Sequence, residues 1–317
     1  MCLIYYDAII IPSRNPYFAP NIGMTSYDHF LRLMVMIGLI LGGLIATSLI
    51  YVLALLMSGM SLPQIMEMSQ QGPTDLSAGM IRGLLLAQHL MTFILPGLAF
   101  GMLFYRSKFL SGLDLSMNPG LTLTILGIFF LVAAYPIVNL SFLANEAIPL
   151  PEWAKIFENQ AEDTLMTILP MNSVAIFLIN LVVIAILPGI GEELIFRGVL
   201  QKEIGLMFRS PVVAIWIAAI IFSAIHLQFE GFLPRMVLGV VLGYLYYWTG
   251  NLWVPMIAHA FNNGVQIILI YVTGLDISTF DEKSSDQLQW WMIPISLILM
   301  YLISKAIIKN KQVVEQV

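Results

Sequence analysis

Eight apolar runs dominate this chain and leave it little choice of fold. They cover residues 33–57, 81–104, 120–143, 172–195, 212–229, 236–249, 253–272 and 290–308. A helix crossing a bilayer needs about 20 mostly apolar residues, and most of these runs have that length. In hydrocarbon every backbone amide must be satisfied within the protein, so such runs become helices. Composition agrees: 59% of the 317 residues are hydrophobic and only 10% are charged. Soluble domains carry about 25% charged residues, and a water-facing surface cannot be built from so few. The expectation is an all-α fold, a polytopic membrane bundle of about eight transmembrane helices. The sixth run is short, but Pro234 and the turn Thr249-Gly250-Asn251 bracket it.

The same composition excludes several functions. A net charge of −5, thinly spread, offers no basic face for nucleic acid. Cys2 is the one cysteine, which rules out a disulfide framework and a cysteine zinc site. Residues 1–18 lack the cationic start and apolar core of a signal peptide, and Met24 is an alternative start. Of the 14 Lys and Arg, the larger share falls on the side of the N-terminus, Arg197, Lys202 and Arg209 among them. That asymmetry predicts a multi-pass protein of the inner cell membrane with both termini cytoplasmic. The acidic loops 58–80, 144–166 and 274–289 then face out, and Pro151–Met166 forms an amphipathic helix lying on the membrane. Gly38/Gly42, Gly97/Gly101 and Gly239/Gly243 have the spacing that lets helices approach closely. The organisation expected is an N-terminal cytoplasmic segment (1–30), N-terminal helices with the outer amphipathic helix (31–165), a catalytic core (166–275), and a last helix with a cytoplasmic tail (276–317).

Four polar clusters interrupt this apolar scaffold. Glu192-Glu193 follows the breaker Pro188-Gly189-Ile190-Gly191. Ionisable residues at membrane depth are costly and mark function by default. Glu193 and Arg197 are four apart and meet on one helix face, so a simple ion pair explains Glu193 and leaves Glu192 unexplained. Phe222 and His226 are four apart, as are His259 and Asn263, the latter next to Asn262. Gln88-His89 has no partner nearby in sequence and reads as structural. Glu192 precedes Arg209 by as many residues as His226 follows it, so a hairpin turning at Arg209-Ser210-Pro211 brings the two to one level. With Arg197 set at the cytoplasmic boundary, Glu192 lies ~8 Å inside and His259 ~12 Å inside, from the helical rise. A convergent set of carboxylate, two imidazoles and an amide suits hydrolysis. The carboxylate takes a proton from water, and the amide and an imidazole stabilise an oxyanion.

These motifs, Glu192-Glu193-Leu194-Ile195-Phe196-Arg197, Phe222-Ser223-Ala224-Ile225-His226 and His259-Ala260-Phe261-Asn262-Asn263, resemble those of the CPBP family of intramembrane proteases. That family, also called Abi or CAAX-protease and bacteriocin-processing, includes the CAAX prenyl endopeptidases, and the resemblance covers about residues 170–270. It implies Glu192 as general base, His226 as its partner on the water, and His259 with Asn263 on the tetrahedral intermediate. It gives Glu193 and Arg197 the role of holding the site's geometry. Zinc is left open: either no cofactor, or a zinc ion on Glu192, His226 and His259. The implied partners are a membrane-bound or lipidated peptide or protein substrate and the lipid bilayer. Two alternatives stay beside it: a scaffold or bacteriocin-immunity protein without peptidase activity, and an ion-coupled transporter. The transporter needs a polar path to the outer face, and the outer halves of the fourth and seventh runs are almost wholly apolar.

Overall fold

A computed structural model describes residues 24–71, 76–274 and 289–314. Cys2, Arg14 and most of the expected segment 1–30, together with the loop 275–288 and its Lys283, lie outside the described residues. The described chain is a bundle of helices: α1 (Ser26–Met57), α2 (Leu62–Gln71), α3 (Ala78–Gly112), α4 (Gly120–Glu146), α5 (Glu152–Ile168), α6 (Val174–Phe208), α7 (Pro211–Ala224), α8 (Phe232–Thr249), α9 (Trp253–Thr273) and α10 (Met292–Val314). Among the described residues six helices have the length and composition to cross a membrane: α1, α3, α4, α6, α9 and the Met292–Lys311 part of α10. Of the eight expected runs, two fall short of that. The fifth is a helix of only 14 residues, α7, and the sixth is α8, with 18. The protein is a multi-pass, all-α membrane bundle.

The breaker expected at Pro188–Gly191 breaks nothing. α6 runs unbroken through it for 35 residues. A wide π turn, Leu181–Ile186, precedes Pro188, and the proline occupies the start of the next α-helical stretch, Leu187–Ile195. There the missing N–H and the ring are tolerated. A second π turn, Phe196–Gln201, follows the two glutamates, and α3 carries a third, Leu90–Ile94. Single π turns inside α-helices gather at functional sites.

Small residues let the helices close on one another, because lipid supplies no hydrophobic drive between them. A Cβ on Gly97 would stand 2.6 Å from Leu194, and one on Gly239 would stand 3.0 Å from Ala219. Gly101 and Gly243 are equally hemmed in, so two of the three expected glycine pairs sit at contacts. The third does not: Gly38 and Gly42 face open space, and Gly43 instead lies against the backbone of Met91.

Both ends of the described chain lie at one end of the bundle. Ser26 at the start of α1 donates to the Met207 carbonyl beside the Ser210 turn, and Ile307 near the end of α10 packs with Leu123 and Leu245. Arg197 and Lys202, the basic residues used to set the expected depth, are 1% and 8% exposed and paired inside the protein. Measured from the Ser210 turn, Glu192 is ~26 Å along α6, from 1.5 Å per residue. It is mid-helix. The amphipathic helix α5 packs at that level. Trp153 meets the ring of Phe229 edge-on at 5.2 Å, and the Glu230 amide donates to Glu158. Trp153, Ile156 and Phe157 remain exposed, an apolar face available to lipid.

Candidate active site

Glu192 and Glu193 sit side by side on the Leu187–Ile195 stretch of α6, 7% and 0% exposed. They face different partners. One oxygen of Glu193, Oε1, accepts from Arg197 Nη1 at 2.7 Å and from His259 Nδ1 at 2.8 Å. Its other oxygen is buried with no hydrogen-bond partner. Arg197 also donates to the Gly239 carbonyl at 2.9 Å, tying α6 to α8. The expected i,i+4 ion pair is therefore present, and the same carboxylate also fixes the ring of His259.

Glu192 is held more loosely. His259 Nε2 lies 3.9 Å from its Oε2, and His89 Nε2 lies 3.8 Å from its Oε1. Both gaps exceed a direct hydrogen bond. Catalytic contacts are often long before substrate arrives.

His226 does not sit within a long fifth span. It lies two residues past the end of α7, in the loop to α8, where Leu227 takes a left-handed φ of 56°. That conformation is strained for a leucine. Arg235 clamps the loop from α8, donating to the Gln228 side chain at 3.1 Å and to the Gln228 carbonyl. His226 Nδ1 bonds the Phe222 carbonyl at 2.7 Å. A carbonyl only accepts, so Nδ1 carries the hydrogen and Nε2 is left free for a water.

Phe222 explains its own place in the motif. Its ring meets Phe196, His226 and His259 edge-on at 5.1, 5.0 and 5.9 Å. Arg197 lies 5.1 Å from its centroid. One aromatic ring thus spaces both imidazoles and the arginine.

Glu192, His226, His259 and Asn263 all line one cavity of about 330 Å³, with Arg235, Asn262 and Gln266. Arg197 and Glu193 stand behind its wall. Asn263 Nδ2 bonds the Ile184 carbonyl at 3.3 Å, and its Oδ1 accepts from Asn262 at 3.1 Å. Tyr135 in turn reaches Asn262 at 3.3 Å. Every residue expected at the site is therefore brought into one neighbourhood. His89, read from sequence as structural, joins them; its partner stands on a distant helix, so no local spacing signals it.

The donor chemistry would suit zinc, since metal-bound imidazoles have their other nitrogen tied to an oxygen. The spacing does not. Among the described residues no group of three or more His, Cys, Asp or Glu could hold a metal ion, and the set Glu192, His226 and His259 forms none.

Residues 174–265 match the family described as Rce1-like, type II CAAX prenyl endopeptidase Rce1-like. All three motifs fall within that stretch, and the resemblance to the CPBP proteases holds over it. Over 84 residues, 25% of this chain, the sequence is 38% identical to Bacillus subtilis (strain 168) "Uncharacterized protein YpbD". The match spans 40% of the length of that relative. No solved structure matches.

Proposed function

We propose that this CAAX-protease-type core makes the protein an intramembrane endopeptidase, hydrolysing a peptide bond of a membrane-bound or lipidated substrate. One observation carries the reading: Glu192, His226, His259 and Asn263, drawn from three separate segments, line a single cavity.

The chemistry follows from the hydrogens. Glu192 Oε2 takes a proton from a water whose oxygen bonds to the substrate carbonyl carbon. His226 Nε2, bare because Nδ1 donates to Phe222, accepts that water's other hydrogen and aims its lone pair. His259 donates from Nδ1 to Glu193, so it stabilises an oxyanion through Nε2 when the ring is protonated. The Glu193 carboxylate supports that imidazolium. Asn263 adds an amide N–H, and preorganised donors of this kind are worth about 10²–10³ in rate each. Collapse of the intermediate breaks the C–N bond, and Glu192 returns its proton to the leaving amine. The Ser210 end of the bundle faces the cytoplasm in this reading, the side favoured by the basic loops.

The test is cleavage of a membrane-anchored fluorogenic peptide library by purified protein in liposomes, with metal analysis of the same sample. Cleavage by wild type that is lost in Glu192→Gln, His226→Ala and His259→Ala supports the reading. Equal cleavage by wild type and Glu192→Gln would refute it.

A further inference from the structure

His89 lies on α3, outside the matched stretch 174–265, yet it reaches the carboxylate at the centre of the site. Its Nδ1 bonds the Leu85 carbonyl at 2.9 Å. Nδ1 therefore carries the hydrogen, and Nε2 is directed at Glu192 Oε1, 3.8 Å away. His259 faces the other oxygen, Oε2. The two carboxylate oxygens thus have one imidazole each. His259 lines the cavity and His89 is not among its lining residues, so His89 approaches Glu192 from behind.

The backbone is shaped for this approach. A Cβ on Gly191 would stand 2.9 Å from Phe93 Cβ and 3.1 Å from Ile94 Cγ1. Both neighbours belong to the π turn Leu90–Ile94, which begins at the residue after His89. On the other side of Ile190, a Cβ on Gly189 would stand 2.7 Å from the backbone nitrogen of Ala260, next to His259. Two glycines flanking one residue admit two helices, each bringing an imidazole to Glu192.

We propose that His89 is a positioning residue of the peptidase centre. With Nδ1 donating to Leu85, the ring attracts Glu192 Oε1 through an Nε2 hydrogen when it is protonated, and so presents Oε2 to the water between His226 and His259. The proposal rests on the peptidase reading above. His89 gains and loses no atom in the reaction: the water proton goes to Oε2, the water oxygen to the carbonyl carbon. Its effect is on the orientation of the base, and a misplaced catalytic group costs up to about 100-fold in rate.

The test compares wild type, His89→Ala, His89→Gln and Glu192→Gln as full-length protein in liposomes, using the best peptide from the library. His89→Ala should lower kcat by up to about 100-fold while KM stays within about twofold. His89→Gln, with an amide N–H at similar reach, should recover several-fold of that loss. A folded His89→Ala with wild-type kcat overturns the proposal, as does a loss that His89→Gln does not relieve. Glu192→Gln separates the two claims. If it stays active, the peptidase reading itself fails; if it is silent while His89→Ala is fully active, only the role of His89 fails. ¹⁵N-histidine spectra give a readout that needs no turnover. Glu192→Gln should move the His89 Nε2 resonance, and an unmoved resonance overturns the proposal.

Discussion

Helix α6 carries two buried acidic centres, and they differ in how they are closed. Near the Ser210 end, Glu203 is fully buried between His29 at 2.6 Å and Arg32 at 3.2 Å. Beside it Lys202 reaches Asp114 at 2.7 Å and the Gly112 carbonyl at 2.8 Å, and Tyr246 donates to Asp114 at 2.5 Å. These short contacts join α1, α3, α6 and α8. About 17 Å further along, by the helical rise, Glu192 has its imidazoles at 3.8 and 3.9 Å and faces a cavity. The residue types are alike, and only the closure differs. A charge matched by short contacts on every side has nothing left for a substrate. A carboxylate held at a distance by two rings, with one face open, can still take a proton.

The variant expected to have the largest effect is Glu192→Gln. It should lower kcat about 10²–10⁴-fold, the range for a general base, and leave the thermal midpoint close to wild type because no short ion pair is lost. Peptide cleavage and thermal unfolding in detergent check both halves. Glu203→Ala should do the reverse. It strands His29 and Arg32 in a buried site, at a cost of about 3–5 kcal/mol, while kcat per folded molecule survives. If both variants lose activity and keep stability, the contrast between the two centres is broken. Gly191→Ala sharpens it. The added Cβ must push α3 away, costing about 1–3 kcal/mol, and the loss of kcat should exceed what unfolding explains. The smallest effect is expected from Trp153→Ala on α5. It removes one edge contact to Phe229, worth about 0.5–1.5 kcal/mol, and should change KM for a membrane-anchored peptide more than kcat.

Much of the site is legible in the sequence because its motifs use the helical repeat. Glu193 and Arg197 pair as their spacing requires, and the hairpin argument brings His226 to the level of Glu192. Depth is not legible, because a basic residue marks the membrane surface only when it is free to reach water. Arg197 is instead locked between Glu193, its i,i+4 neighbour, and the Gly239 carbonyl of helix α8, which no local spacing signals. Pro188–Gly191 reads as a break because proline and glycine punctuate soluble helices. Here the π turn ahead of Pro188 absorbs the proline, and the glycines serve close approach. The place of His89 beside Glu192 is not legible either, because its partner is brought by tertiary packing alone.

The central claim is that Glu192 and His226 act on one water in one cavity. A double-mutant cycle on kcat tests it most directly, using Glu192→Gln, His226→Ala and the pair combined. Residues that act as a unit are strongly non-additive, so the double variant should be no slower than the worse single variant. Losses that multiply would place the two side chains in independent roles and contradict the account.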